Sequence, residues 1–409
     1  MKNTLLKFEI PESILLEQNG IISVDVDETV NISWSETALI VIGKNSRFDE
    51  ENLKALAIQQ LNQPAQESIN TIKGFGEFLS NKKDISVFYS IDNFFPLFES
   101  NFSDASLAFN APVVAMYKEM FSKFSALSVG GFVSFEKGEI VMTQKPFFEN
   151  SEVKKQYESL YNNMCGTING AHLGYIADKP LMSFCMNLKG EGIYNYINEL
   201  GLLKDYEEDI DANLMMMDTN LKEFISNLEG DFSYAIHTMP SGQGFLDIPN
   251  FSVFIDTKDI DKIWPMLKSS LEGMGTEIKE DNYVIEIGSD INIYLGAKGK
   301  TVFVTTMKDV YDNLDASKSV GTLRGKAKGE VMFMSGNLES LTPYILKEMR
   351  YASAIEKDFV SKGLALIGDI EATDNKNGGK CTIEITKKNK NSLAVITQYI
   401  SDAVSALMR

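Results

Sequence analysis

His172 and His237 are the only histidines in the 409 residues, so they bound the catalytic options first. His172 lies in the Gly-rich stretch "GTINGAHLGYIADKP" (residues 166–180), and His237 in the strand-like "DFSYAIHTM" (residues 231–239). A zinc centre or a Ser-His-Asp triad needs imidazoles held beside carboxylates or a nucleophile, and neither local context supplies that. Both read as structural histidines. No Gly-x-Ser-x-Gly segment is present to raise a serine on a strand-to-helix elbow.

Two glycine-bearing turns could cradle phosphate. "GAKGKT" (residues 296–301) ends like a phosphate-binding loop, but Tyr294 stands where the first glycine belongs. The "VFVTT" that follows continues as a strand, so no helix N-terminus faces an anion; the segment reads as a hairpin turn. "NLKGEGIYNYI" (residues 187–197) opens a helix after a strand, yet Asn195 occupies the third glycine position of a dinucleotide fingerprint. It reads as a helix-entry loop.

Calcium would seek the acidic cluster "KDYEEDIDAN" (residues 204–213), with Asp205, Glu207, Glu208, Asp209 and Asp211. An EF-hand loop starting at Asp205 needs glycine where Ile210 stands, and in "DNKNGGKCTIE" (residues 374–384) Lys376 replaces a ligand. Both are expected to be solvated loops. Paired carboxylates for glycoside chemistry have 57 acidic residues to draw on, too many for the sequence to single out a pair. The sequence therefore assigns no catalytic, cofactor-binding or metal-binding residue, and no cofactor. Cys165, Cys185 and Cys381 are odd in number and far apart, which implies no disulfide framework. Cys185, inside "SFCMN", is expected to be a buried apolar side chain.

The 57 acidic residues outweigh 39 basic ones, for a formal charge of -18. Such a surface repels nucleic-acid backbones and anionic headgroups. The lysines of "TKKNKN" (residues 386–391) read as a solvated turn before the last helix. The longest apolar runs, such as "ALIVIG" (residues 38–43), are far shorter than a membrane span. "NFFPLF" (residues 93–98) and "NLMMMD" (residues 213–218) read as core or subunit contacts.

The elements that must position these residues follow from periodicity. "NFSVFIDTKDIDKIWPML" (residues 250–267) alternates like a strand and then spaces its apolar residues like a helix, with Thr257-Lys258-Asp259 between as a cap. The same switch occurs at residues 85–98, 182–197 and 331–345, so opening strands are expected near Ile85, Met182, Phe251 and Val331. Hairpins follow, one around Lys137-Gly138 and a three-strand meander over residues 283–306. A closing helix is expected over residues 393–408. The fold class is α+β: degenerate repeated strand-helix-hairpin units, in mostly antiparallel sheets with helices packed on one face. The length suggests an N-terminal lobe, residues 1–170, with the first unit, and a C-terminal lobe, residues 171–409, with three more.

"KKDISVFYSIDNFFPLF", then "MYKEMF" and "VGGFVSFEKGEIVMTQKPFF", resemble a Bacteroidetes family of uncharacterised, lipid-anchored cell-envelope proteins. "LGYIADKPLMSFCMNLKGEGIYNYI" is similar to the family's next strand-plus-helix unit, and "ISWSETALIVIG" to the strand pair before the Lys-Asp-Ile-Ser region. The chain resembles the later two-thirds of such proteins. The resemblance carries no catalytic residues. It implies a cell-envelope location, in the outer membrane or periplasm, with a lipid anchor upstream of Met1. The expected role is a non-enzymatic interaction or scaffold protein with a protein or glycan partner in the envelope, no nucleic acid and no transmembrane segment. The alternatives are a carboxylate-dependent hydrolase of an envelope or host polymer, and a cytoplasmic accessory protein if Met1 is the native start.

Overall fold

The structure is a computed structural model. It describes residues 16–43, 53–91 and 126–407, apart from residues 19, 28–29, 37, 65, 67–68, 178, 204–206, 216–218, 240–247, 272–273 and 288–290. The chain divides into two compact units, Met1–Gly76 and Glu77–Arg409.

In the first unit β1 (Leu16–Gln18), β2 (Ile21–Asp27), β3 (Val30–Trp34) and β4 (Leu39–Gly43) form an antiparallel meander in that order. Helix α1 (Leu53–Leu61) packs on it through the fully buried Ala57. Ser23, Asn31 and Ser33 are buried together and satisfy one another: the Ser23 and Ser33 hydroxyls lie 2.6 Å apart, and Asn31 Nδ2 donates to Ser23 at 3.0 Å.

The second unit is built on one sheet of thirteen strands. After α2 (Phe75–Ser80) come β5 (Ile85–Ser90), β6 (Leu127–Phe135), β7 (Glu139–Phe148), α3 (Ser151–Met164), β8 (Met182–Lys189), α4 (Gly190–Glu199), α5 (Glu207–Leu214), α6 (Leu221–Ser226), β9 (Leu228–Thr238) and β10 (Asn250–Thr257). Next are α7 (Ile260–Leu271), β11 (Thr276–Lys279), β12 (Asn282–Ile287), β13 (Ile291–Lys298), β14 (Thr301–Thr305), α8 (Lys308–Asp315) and α9 (Leu323–Ala327). The chain continues through β15 (Met332–Asn337), α10 (Leu338–Glu348), α11 (Ala354–Leu364), β16 (Ile367–Asn375), β17 (Gly378–Ile385) and α12 (Ser392–Leu407). Their order across the sheet is β11-β12-β13-β14-β10-β9-β8-β15-β16-β17-β7-β6-β5, antiparallel throughout.

The α+β class and antiparallel pairing follow from the alternation of these strands. Opening strands lie at Ile85, Met182, Asn250 and Met332, at or within one residue of the expected positions. β8 runs straight into α4 and β15 into α10, while β10 reaches α7 after two residues; there Asp259 accepts the N–H of Asp261 at 3.2 Å, as a capping side chain does. The "NFFPLF" and "MYKEMF" segments lie outside the described residues. Residue 170, the expected lobe boundary, has strands of the one sheet on both sides of it.

Helices pack on both faces of the sheet, where one face was expected, because its strands carry large apolar residues at odd and even positions alike. Phe254, Phe303 and Phe333 point to one face, with Val310, Tyr311 and Leu314 of α8 and Leu323 and Ala327 of α9. Trp264 of α7 packs on the other, against Tyr283, Leu295 and Val304. Register places Ser335, Ser183, Ala235, Ser252 and Thr305 in one row across β15, β8, β9, β10 and β14. The row is buried, and its hydroxyls pair: Ser183 with Ser335 at 2.7 Å, Ser252 with Thr305 at 2.7 Å.

Candidate functional site

The Gly-rich stretch 166–177 lies over the face that carries Phe254. Ile168, Leu173 and Ile176 are buried in the cluster with Phe254, Phe303 and Phe333, and this apolar anchoring draws the loop's polar groups down with it. Those groups need partners, and the sheet provides two carboxylates. Asp231 of β9, 2% exposed, accepts the N–H of Gly170 at 2.8 Å and of Asn169 at 3.0 Å on Oδ2, and Asn187 Nδ2 at 2.8 Å on Oδ1. Gly170 has φ +72°, a conformation that suits glycine and turns its N–H toward this carboxylate.

Asp256 of β10 takes the rest. Its Oδ1 accepts Thr301 Oγ1 at 2.6 Å and lies 3.0 Å from His172 Nε2; its Oδ2 accepts the Asp231 N–H at 3.2 Å and pairs with Lys300 Nζ at 3.2 Å. Burial alone would raise the Asp256 carboxyl, but the hydrogen bonds and charges of His172, Thr301 and Lys300 outweigh it and hold the group well below the usual carboxylate range. A carboxylate only accepts, so His172 Nε2 is the donor here. The imidazole stacks on Phe254, centroids 5.3 Å apart, and its Nδ1 lies 3.4 Å from Ser233 Oγ.

Ser233, His172 and Asp256 thus align in the order of a catalytic triad. Their surroundings refuse that chemistry. Ser233 has no exposed surface, and its hydroxyl donates to Cys185 Sγ at 3.1 Å. Cys185 is equally buried, and burial is the main reason its thiol is pushed up to about 12, far from a reactive thiolate. A cleft of about 440 Å³ does open over Asn169, His172, Asp231, Asp256 and Lys300, but every carboxylate oxygen named here is already engaged. The network is a latch tying residues 166–175 to the sheet.

The other segments with chemical promise fall elsewhere. "GAKGKT" is the β13–β14 turn, as expected, with Gly299 at φ +58°; that its Lys300 and Thr301 both meet Asp256 beside His172 was not visible in sequence. The glycines of "NLKGEGIYNYI" serve packing: a Cβ at Gly190 would sit 1.7 Å from Ile225 O, and one at Gly192 1.9 Å from Asn163 O. The acidic cluster corrects an expectation. Residues 207–214 are helix α5 and no solvated loop; Glu207 accepts Tyr194 Oη at 2.5 Å and Asp211 accepts the Leu221 N–H at 2.6 Å, so fold contacts use these acids. Asp205 lies outside the described residues, as do residues 216–218 of "NLMMMD"; Met215 is 74% exposed. "DNKNGGKCTIE" is the β16–β17 hairpin rather than a solvated loop alone. His237 bonds Ser252 at 2.9 Å, and burial lowers its pKa. Among the described residues no group of three or more His, Cys, Asp and Glu is placed to hold a metal ion.

One carboxyl differs from the latch. Asp374, at the end of β16, accepts Tyr161 Oη at 3.0 Å on the margin of a second cleft, about 530 Å³, lined by Tyr161, Cys165, Lys189, Glu330 and Asn375. Burial, with help from the Glu330 charge, raises Asp374 despite the Tyr161 hydroxyl and the Asn375 N–H.

Comparison with known families places this arrangement. Residues 7–393 match a family described as a domain of unknown function, DUF4836. The chain belongs to that family. No curated protein and no solved structure matches the chain. The DUF4836 match runs across both compact units and takes in the latch, both clefts and all thirteen strands of the large sheet. Among the described residues of this DUF4836 chain, no helix is long and apolar enough to cross a membrane.

Proposed function

We propose that the protein is a non-enzymatic interaction or scaffold module of the cell envelope, carried in its native form on a lipid anchor upstream of residue 1. The observation that supports the non-enzymatic reading is the burial of the residues that line up like a triad around His172. Ser233 and Cys185 have no exposed surface, and both oxygens of Asp256 are engaged. A nucleophile must meet substrate to work, and neither the Ser233 hydroxyl nor the Cys185 thiol reaches the surface.

The likeness of "KKDISVFYSIDNFFPLF" and its following segments to lipid-anchored envelope proteins supports the location. The charge of -18 supports an anchor, since such a surface is not drawn to anionic headgroups. One acyl chain binds only marginally, so stable attachment needs multiple acylation. Fractionating cells that make the native gene product tests this: recovery with membranes, released by detergent and not by salt, is expected. Recovery as a soluble cytoplasmic protein overturns it in favour of an accessory protein.

Asp374 favours a second reading, a carboxylate-dependent hydrolase. Its raised pKa beside Glu330 is what a general acid needs. Incubation with envelope polysaccharides and peptides decides between the two. Turnover that Asp374→Asn abolishes replaces the first reading.

A further inference from the structure

We infer that two furrows flanking Lys189 together form a binding site for an uncharged, hydroxyl-rich oligosaccharide. This deepens the envelope-interaction reading, on which it rests for the ligand's biological source. The site lies at the end of β8, the middle strand of the large sheet. There Cys165, just past α3, pairs by a bridge with Leu188, and Lys189 Nζ donates to Asn162 O at 2.6 Å. That bond fixes the partition between the furrows, and Asn162 and Lys189 line both.

On one side, about 530 Å³ is bounded by Tyr161, Thr167, Glu330 and Asn377; on the other, about 440 Å³ by Asn163, Glu191, Asn195 and Tyr196. Among the described residues the side chains of Asn162, Asn163, Thr167, Asn195 and Asn377 make no hydrogen bond within the protein. Four of the five are amides, each presenting donors and an acceptor side by side. A sugar hydroxyl is itself donor and acceptor, so adjacent hydroxyls match such a lining, and the Tyr161 ring adds an apolar surface for a sugar face.

Charge and position narrow the ligand. Four glutamates, Glu191, Glu199, Glu229 and Glu330, face two lysines, Lys189 and Lys376, which disfavours uronic, sialic or phosphorylated glycans and nucleotides. A peptide added as a strand needs a sheet edge, and β8 is paired on both sides with β9 and β15. Nor is the lining dominated by the aromatic and aliphatic side chains that anchor drug-like or protein ligands.

The test is a glycan array followed by titration calorimetry on the full chain, with neutral hexose and N-acetylhexosamine oligomers, anionic glycans and peptides as probes. Neutral oligomers are expected to bind. Asn162→Ala and Asn377→Ala, both at exposed positions, are expected to weaken them roughly five- to tenfold each with unfolding midpoints unchanged; Lys347→Ala, on α10, leaves binding unchanged. Absence of neutral-oligomer binding at millimolar concentration, binding unaltered in both asparagine variants, or preference for anionic glycans or peptides overturns the inference. Cell fractionation decides the envelope reading separately: a cytoplasmic protein that binds neutral oligomers keeps the site and loses the location, and a membrane-held one that binds none does the reverse.

Discussion

His172 Nε2 lies 3.0 Å from Asp256 Oδ1, although 84 positions separate the two residues in the chain. The contact joins a Gly-rich loop to a central strand of the sheet, and it organises Thr301, Lys300, Asp231 and Ser233 around it. Its consequences are measurable as stability.

Asp256→Asn removes the charge and keeps the shape. A carboxyl whose folded pKa is depressed stabilises the fold above its unfolded pKa of about 4, and that stability is lost as pH falls through the folded value. The variant is expected to lose about 2–4 kcal/mol at neutral pH, with the gap from wild type narrowing below about pH 4. Urea unfolding across this range measures it; a gap that persists undiminished in acid shows that charge is not the source.

Asp374→Asn has the opposite sign. The folded pKa is raised, chiefly by burial, so the wild-type fold gains from the protonated carboxyl in acid and loses stability as pH rises from about 4 through the folded value. The amide remains neutral and can still accept from Tyr161. The variant should match wild type in acid and equal or exceed it at neutral pH, by up to about 1 kcal/mol. A marked loss at neutral pH contradicts the account.

Cys185 should resist alkylation in the native state. It is fully buried and its thiol is pushed up to about 12. Iodoacetamide at mildly alkaline pH, followed by peptide mass spectrometry, should leave Cys185 unmodified until denaturant is added, when all three thiols react. Modification of Cys185 in the folded protein would mean that the strand face opens.

Gly190→Ala and Gly325→Ala form a matched pair. A Cβ at Gly190 meets the backbone oxygens of Ile225 and Leu228 at 1.7 and 2.7 Å, whereas one at Gly325 meets nothing within 4 Å. The first should cost about 3 kcal/mol or more, because backbone must move. The second, inside α9, should stabilise by about 0.5–1 kcal/mol. Thermal unfolding of the two variants compares them; equal midpoints would contradict the packing of α4 against α6.

The strand-to-helix switch at residues 250–267 was legible because alternation, helical spacing and the Asp259 cap are all properties of neighbouring residues. The same holds for the β6–β7 hairpin at Lys137-Gly138, where Gly138 has φ +75°. Residues 207–214 misled for a local reason too. Five acids within seven positions looked like a solvated loop, but Glu207 and Asp211 have distant donors in Tyr194 and Leu221 that make a helix there economical. Gly190 and Gly192 carried a true signal of close approach, without saying that the approaching groups were Ile225 O and Asn163 O rather than a phosphate.

By itself the sequence determined the α+β class, the turns and the starts of the opening strands, since periodicity and glycine placement are carried by short windows. The tertiary structure alone decided that β8 is the middle of thirteen strands, that helices pack on both faces of the sheet, and that His172 meets Asp256. Strand order depends on pairings between residues hundreds of positions apart, such as Cys381 with Met142. Such pairings are chosen by the joint burial of whole faces, and no short stretch of sequence holds that information.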